Sequence, residues 1–327
     1  MFKPLHIVPA GTRIDFMRFH KLAFALSIVL VLGSIALFFT RGMNYGIDFE
    51  GGILMEVRGQ QAVDLSQMRS QLSTLGLGEV ALQQFGDPND VLIRVPLQQL
   101  GDEKAQQAAV QKIKDSLGTN WEFRRTETVG PKFGEELKSG TAWAFALAML
   151  GIMAYVWFRY EWQFGVNALI ALFHDVVTTI GLVSLLHIEF NLTVVAAVLT
   201  VAGYSVNDKV VVYDRIRHEL RRYKKMPLGE LINLSLNATL SRTTVTSGLT
   251  LLSVLALALF GGEVLRGFSI ALIWGIVIGT YSTIFVATPL LLYKNLRSTM
   301  GGEVQKEAAA PIPPQKNPPS AGVAKKG

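Results

Sequence analysis

Five ionisable residues lie inside, or directly beside, long apolar stretches of this sequence. They are His174, Asp175, Asp208, Lys209 and Arg242. A charged side chain inside a lipid bilayer costs about 2.5–3.5 kcal/mol on insertion scales, so such residues are rare and are functional candidates by default. Carboxylates and imidazoles bind and release protons, and an arginine nearby supplies a compensating charge. The chemistry open to these residues is therefore proton exchange within a membrane.

Asp208 and Arg242 lie at similar predicted depths on consecutive apolar stretches. Asp208 falls about 24 Å along a helix that begins at Leu192, and Arg242 stands near the start of the next stretch. We therefore predict a proton-coupling pair, although a structural contact for Asp208 and a snorkelling flank for Arg242 are alternatives. Further hydrogen-bonding groups nearby are Tyr204, Ser205, Asn207, Ser241, Thr243, Thr244 and Ser247.

His174 and Asp175 form a second polar site, near the middle of their own apolar stretch. The adjacent imidazole and carboxylate could relay protons or brace helices, and the sequence leaves both open. Lys209 follows Asp208 directly, so the two side chains differ by about 100° around a helix. We expect Lys209 to point away from Asp208 and to extend towards the cytoplasmic surface, where Lys224 and Lys225 lie.

The apolar stretches are long enough to be membrane helices. Apolar residues make up 50% of the 327 residues and charged residues only 17%, against about 25% in soluble domains. This composition excludes a disordered chain and argues against a soluble enzyme. Cysteine is absent, which excludes disulfides, thiolate metal sites and a cysteine nucleophile. Six spans are predicted: Leu22–Phe39, Ser139–Phe158, Phe164–Leu186, Leu192–Tyr213, Thr243–Gly262 and Gly267–Tyr293.

Basic residues predict how the spans are oriented. The net charge is +6, and lysines and arginines are concentrated in the N-terminal arm and in segment 214–225. The positive-inside rule then places both termini in the cytoplasm. The first span is interpreted as an uncleaved anchor rather than a signal peptide, and segment 214–225 as an orientation and headgroup signal rather than a nucleic-acid site. The predicted units are 1–21 (cytoplasmic arm), 22–39 (first span), 40–138 (outer domain), 139–298 (five further spans) and 299–327 (disordered tail).

Segment 40–138 alternates like a small α+β domain. Its predicted order is βαββαβ, which is typical of a ferredoxin-like fold of four antiparallel strands with two helices on one face. Asp48 and Glu50 precede the first strand and are either part of a turn or metal ligands, of which the turn is favoured. Gly130 and Pro131 lie at the return to the membrane and are either a linker turn or a hinge.

The sixth span carries a small residue at every fourth position. The series is Gly267, Ala271, Gly275, Gly279, Thr283 and Ala287. Small residues at this spacing let helices approach closely, so we predict a packing role, above all for Gly275 and Gly279. No nucleotide-binding, metalloprotease or nucleophile-elbow motif occurs in the sequence, and it is not predicted to be an enzyme.

Several ordered motifs resemble the SecD/SecF family of protein-export membrane proteins, within the resistance-nodulation-division superfamily. They are Tyr45–Gly52, Val129–Leu137, Phe173–Val176, Ala202–Asp208, Val212–Arg217 and Ser241–Ser247. The resemblance implies a bacterial inner-membrane protein with a six-span SecD partner. It also implies contact with the SecYEG channel, exported preproteins and accessory Sec membrane subunits, and no nucleic acid. Protons would be the coupling ion, with no cofactor, and the family's membrane Asp and Arg fall on Asp208 and Arg242.

Three functional hypotheses follow from the sequence. The first is a proton-coupled auxiliary subunit of protein export that helps to complete preprotein translocation. The second is a half-size proton-coupled exporter of small molecules, although such exporters normally carry two six-span halves and larger outer domains in one chain. The third is a structural assembly factor, in which the intramembrane charges only brace helices.

Overall fold

The computed structural model describes residues 9, 12–84, 86–98, 102–294 and 296. The predicted tail, 299–327, lies outside the described residues, as does most of the N-terminal arm before residue 12. Six helices in the described part are long and apolar enough to cross a membrane. The structure therefore confirms the predicted polytopic helical architecture.

The six long helices are separated into one early span and five later ones. The early helix, α1, spans His20–Arg41 and follows a short 3-10 turn at Phe16–Phe19. The later helices are α5 (Pro131–Arg159), α6 (Trp162–Leu185), α7 (Leu192–Arg222), α8 (Leu228–Phe260) and α9 (Gly262–Ser282). Past α9 the sixth span continues as a π turn at Thr283–Ala287 and a 3-10 turn at Pro289–Tyr293.

Two helices begin earlier in the chain than their predicted spans. Helix α5 starts at Pro131, directly after β5, so the outer domain ends near Gly130 rather than at residue 138. Helix α8 starts at Leu228 rather than near Thr243, which places Arg242 inside the helix and not at its start. Helix α7 continues to Arg222, so most of segment 214–225 is a helical extension of the fourth span. Apolar windows locate the lipid-spanning part of a helix and miss these polar extensions.

The segment between α1 and α5 folds as the predicted ferredoxin-like domain. Its elements are β1 (Asn44–Tyr45), α2 (Ile47–Glu50), β2 (Gly52–Gly59), α3 (Leu65–Ser73), β3 (Ala81–Gln84), β4 (Asp90–Val95), α4 (Glu103–Leu117) and β5 (Trp121–Val129). The four longer strands pair antiparallel in the order β3-β4-β2-β5. This is the strand order that a βαββαβ chain adopts when both helices cover one face.

Alternating apolar residues build the core of this domain. Ile53, Met55 and Val57 of β2 are buried, and they face the helices α3 and α4 across a single apolar cluster. The helix starts follow from capping, because Asp64 accepts hydrogen bonds from the backbone of Ser66 and Gln67. Asp102 caps α4 in the same way.

Candidate functional site

Three of the membrane helices form a buried core, and the other three surround it loosely. In α6, α7 and the sixth span 56% of the apolar window is buried, against 17% in α1, 6% in α5 and 11% in α8. The inner helices contain four of the five ionisable residues singled out above.

The centre of this core is an ion pair between the third and fourth spans. Lys209 Nζ lies 2.8 Å from Asp175 Oδ2, and both side chains are completely buried. Sequence analysis expected Lys209 to reach the cytoplasmic surface, and that prediction is wrong. The side chain instead turns back along α7 towards its N-terminus, as helical side chains do, and meets the hydroxyl of Ser205 one turn earlier.

Two serines complete the shell of the ion pair. Ser205 Oγ of α7 donates to Asp175 Oδ2 at 2.5 Å, and Ser282 Oγ of the sixth span donates to the same oxygen at 2.8 Å. Lys209 Nζ also donates to Ser282 Oγ at 3.0 Å. One carboxylate oxygen therefore joins the third, fourth and sixth spans through polar contacts alone.

His174 occupies the other oxygen of Asp175. Its Nδ1 lies 2.9 Å from Asp175 Oδ1, so the Nδ1–H tautomer donates to the carboxylate. The Nε2 atom is buried and has no hydrogen-bond partner among the described residues. The ring packs against Tyr281 at a centroid distance of 6.2 Å. The structure thus joins the side chains of His174 and Asp175 directly and adds Lys209 as their countercharge, while the relay and brace hypotheses both remain open.

Asp208 lies outside this cluster, on another face of α7. Its side chain is buried, and its Oδ2 accepts a long hydrogen bond of 3.4 Å from Ser247 of α8. The side chain of Arg242, on α8, is exposed. Asp208 and Arg242 form no ion pair in the part of the chain that the structure describes, so the predicted direct pair is not observed. Asn207 is exposed and does not belong to the buried cluster.

The small residues of the sixth span face α7. A Cβ atom at Gly275 would overlap Val201, and one at Gly279 would come within 3.1 Å of Ser205 Oγ. Both glycines are buried. Gly279 therefore lets the sixth span approach the serine that holds Asp175, which links the packing stripe to the ion pair.

The outer domain is attached to the fourth span by a small set of polar contacts. Residues Asn44–Tyr45 pair in parallel with β6 (Glu189–Phe190) in the loop before α7. Arg94 of β4 forms an ion pair with Glu189 and donates to Asn44 Oδ1 at 3.1 Å. Burial raises the pKa of Glu189, against the opposing effect of Arg94.

The candidate metal ligands before the first long strand have a different role. Asp48 Oδ2 accepts a hydrogen bond of 2.9 Å from the backbone of Leu192, at the first turn of α7. A carboxylate at this position satisfies a free backbone N–H group and complements the helix dipole. Glu50 closes the short helix α2. Gly130 and Pro131 form the N-cap and first turn of α5, and the hinge hypothesis for them remains a prediction.

The fold and the site together define a class of protein: a polytopic helical membrane protein with one ferredoxin-like domain between its first two spans and an ion pair buried among its inner helices. The family described as protein export membrane protein SecD/SecF, C-terminal, matches residues 109–297, and the SecD/SecF GG motif matches residues 36–63. The chain belongs to the SecD/SecF family.

Relatives within this family are similar over most of the chain. The protein translocase subunit SecF of Rickettsia rickettsii is 48% identical over 292 residues, covering 88% of this chain and 94% of the relative. The SecF of Rickettsia felis is 47% identical over the same length and covers the same shares. These matches favour the export-subunit hypothesis over the small-molecule exporter.

Solved structures show the same architecture. The crystal structure of SecDF from Thermus thermophilus, a translocon-associated membrane protein, has a TM-score of 0.78 at 36% identity over 89% of this chain. SecDF in its super-membrane-facing form has a TM-score of 0.66 at 35% identity over 95% of this chain. The chain spans only 39% and 42% of those two structures.

Proposed function

We propose that this chain is the SecF-type subunit of a bacterial protein translocase and uses the proton motive force to promote preprotein translocation. The family membership and the SecF relatives support an auxiliary role in export. Since the chain spans about two fifths of the SecDF structures, the rest of such a unit would come from a SecD-type partner chain. The SecYEG channel and the exported preproteins are the other partners proposed.

The buried carboxylate of Asp208 is the observation that carries the proton-coupling part of this proposal. It lies in the fourth span with one long hydrogen bond from Ser247 and no ion pair in the described part of the chain. Burial favours the neutral form of such a carboxylate, and a positive charge nearby favours its charged form. It can therefore change its protonation state without breaking a strong pair.

The proposed orientation in the membrane follows from the side on which the N-terminal arm and the basic end of α7 lie. The N-terminal arm contacts the start of α8, where Asn237 Oδ1 accepts from the backbone of Ile14 and Asn233 donates to Asp15. The basic end of α7 leads directly into α8, so it lies on this same side. By the positive-inside rule this side is cytoplasmic, and the ferredoxin-like domain is extracytoplasmic in the inner membrane.

The proposal is tested in inverted membrane vesicles prepared from cells that lack this chain. Restoring the chain should restore the stimulation of late-stage translocation by an imposed proton gradient, and purification in mild detergent should recover SecD-type and channel subunits. An unchanged translocation rate, together with recovery of an outer-membrane duct in place of those subunits, would overturn it and favour the exporter.

A further inference from the structure

Stability alone does not account for the buried ion pair of Asp175 and Lys209. Both side chains are removed from water completely, and an apolar pair of similar volume would commonly stabilise the same position equally well. Intramembrane ion pairs are therefore better explained by a use for their charges than by stability. The mechanism based on Asp208 makes no use of them.

The chemistry around Asp175 provides a route for a proton. His174 holds a proton on Nδ1, where it faces Asp175 Oδ1, so its buried Nε2 is the free basic nitrogen. Asn167 lies two helical turns nearer the start of α6 on the same face, and its side-chain amide is also buried without a partner among the described residues. Asn167 thus places one buried polar group on the same face of α6 as the imidazole, about 10 Å away from it along the helix towards the cytoplasmic end.

We propose that Asp175 is a second proton-binding carboxylate of this chain, that His174 delivers its proton, and that Lys209 is the cation released when the proton binds. This inference rests on the proposed proton-coupled function and adds a site to it. A proton binds His174 Nε2, and the Nδ1 proton passes to Asp175 Oδ1. The imidazole ends neutral with its proton on Nε2, Asp175 ends as a neutral acid, and Lys209 keeps its charge without a carboxylate partner.

Protonation of Asp175 would change how three spans are held together, because its carboxylate joins them. Its Oδ2 accepts hydrogen bonds from Ser205 of α7 and Ser282 of the sixth span as well as from Lys209. A neutral acid is a much weaker acceptor for all three donors. Protonation therefore loosens α6 from α7 and from the sixth span at one point, and deprotonation closes the junction again.

Other titratable groups lie on the helices packed around the site. Helix α7 carries Asp208, which is adjacent to Lys209 in the sequence. Helix α8 carries Arg242. The sixth span adds Tyr281, whose hydroxyl donates to Ala23 of α1 and lies 3.1 Å from Ser27. Helix α5 contributes the apolar residues Met149 and Ile152 to the surrounding core. Lys209 and His174 are the groups in direct contact with Asp175.

The first test separates a proton site from a brace. The paired variant Asp175→Asn with Lys209→Met removes both charges, so a structural brace predicts normal assembly and full gradient-dependent stimulation of translocation. The proposal predicts normal assembly with that stimulation lost. Loss of stimulation in Asp208→Asn together with full stimulation in the paired variant would overturn this inference and leave the proposed function standing.

The second test detects the protonated carboxyl group directly, and its key comparison is made with folded wild type and His174→Gln. Infrared difference spectra of the purified full chain, recorded between about pH 5 and about pH 8, detect the C=O stretch of a protonated carboxyl group. The proposal predicts a carboxyl band that persists in Asp208→Asn, is missing in Asp175→Asn, and shifts its midpoint in His174→Gln. A spectrum in which no band depends on Asp175 would contradict the proposal.

Discussion

Lys209 Nζ and Asp175 Oδ2 lie 2.8 Å apart at a point where neither side chain has any exposed surface. The contact joins the third and fourth membrane spans, and Ser282 extends it to the sixth. The neighbouring residue in the sequence, Asp208, faces another helix and is held by a single long hydrogen bond. One turn of α7 therefore presents a tightly paired charge to one side and a loosely held carboxylate to the other.

The ion pair predicts a specific pattern of stabilities. Lys209→Met or Asp175→Asn alone leaves one buried charge uncompensated, and we expect either to lower the free energy of unfolding by about 3–5 kcal/mol. The paired variant should lose much less free energy of unfolding than the two single variants added together, because it removes both charges at once. Thermal unfolding in detergent, analysed as a double-mutant cycle, measures this. Additive losses would show that the two side chains do not interact.

The glycine stripe predicts a local packing defect. Gly279→Leu should push the sixth span away from Ser205 and destabilise the chain by about 1–3 kcal/mol, because overpacking a close helix contact forces side chains and backbone to shift. Gly203→Leu on α7 is the matched control, since a Cβ there meets nothing within 4 Å. Thermal unfolding measures the stability of both variants relative to wild type. Equal stabilities would remove Gly279 from the helix interface.

The outer domain contains an ion pair whose effect depends on pH. Arg58 donates two hydrogen bonds of 2.5 Å to Asp90 and holds the pKa of that carboxyl below its usual value. This stabilisation is present above the pKa of Asp90 in the unfolded chain and is lost as the pH falls through the pKa in the folded chain. Asp90→Asn should therefore lower the stability of the domain at neutral pH by about 1 kcal/mol or less, because Arg58 is partly exposed and solvent screens the pair.

The difference in stability between wild type and Asp90→Asn should shrink as the pH falls. The wild-type carboxylate becomes protonated at low pH and is then neutral, like the asparagine. Denaturant unfolding of a full chain in which the other four tryptophans are replaced by phenylalanine, followed through the fluorescence of Trp121, gives the stability of the outer domain at each pH. A difference that stays constant down to acidic pH would mean that the ionised pair does not stabilise the domain.

The proposed orientation predicts which engineered cysteines react from outside. Gln83 of the outer domain is exposed, so Gln83→Cys should be labelled by an impermeant thiol reagent in cells stripped of their outer barrier. Lys224, just past α7, is also exposed, and Lys224→Cys should react only after the membrane is opened. The absence of native cysteine gives both experiments a clean background. Labelling of position 224 in intact cells would reverse the assigned orientation.

Local patterns predicted the architecture well, because they arise from short-range physics. Alternating apolar residues such as Ile53, Met55 and Val57 define a strand whose buried face is fixed by the pleat. The apolar stretches marked the six spans for a similar reason, since a bilayer admits few charges. Both kinds of signal are contained within a single element of the chain.

The ion pair was missed because it depends on how two elements meet. Counted along straight helices, Asp175 lies about 15 Å from the outer end of α6 and Lys209 about 25 Å from that of α7, so the two did not appear to be partners. The lysine stem closes much of that gap by pointing back one turn to Ser205. The available signal was the opposite charges of Asp175 and Lys209 on consecutive spans. Lys209 also lies about 100° around α7 from Asp208, so the two side chains face different neighbouring helices.

The most direct test of the proton-coupled function is late-stage translocation into inverted vesicles that carry Asp208→Asn, with and without an imposed proton gradient. Asparagine keeps the size of the side chain and can bond Ser247, but it cannot bind and release a proton. We predict that the variant inserts, assembles and supports the ATP-driven early stage, while the gradient no longer stimulates the late stage. Asp208→Glu, which keeps an ionisable carboxyl group, should retain part of the stimulation. Full stimulation of Asp208→Asn by the gradient would contradict the assignment of Asp208 as the coupling residue.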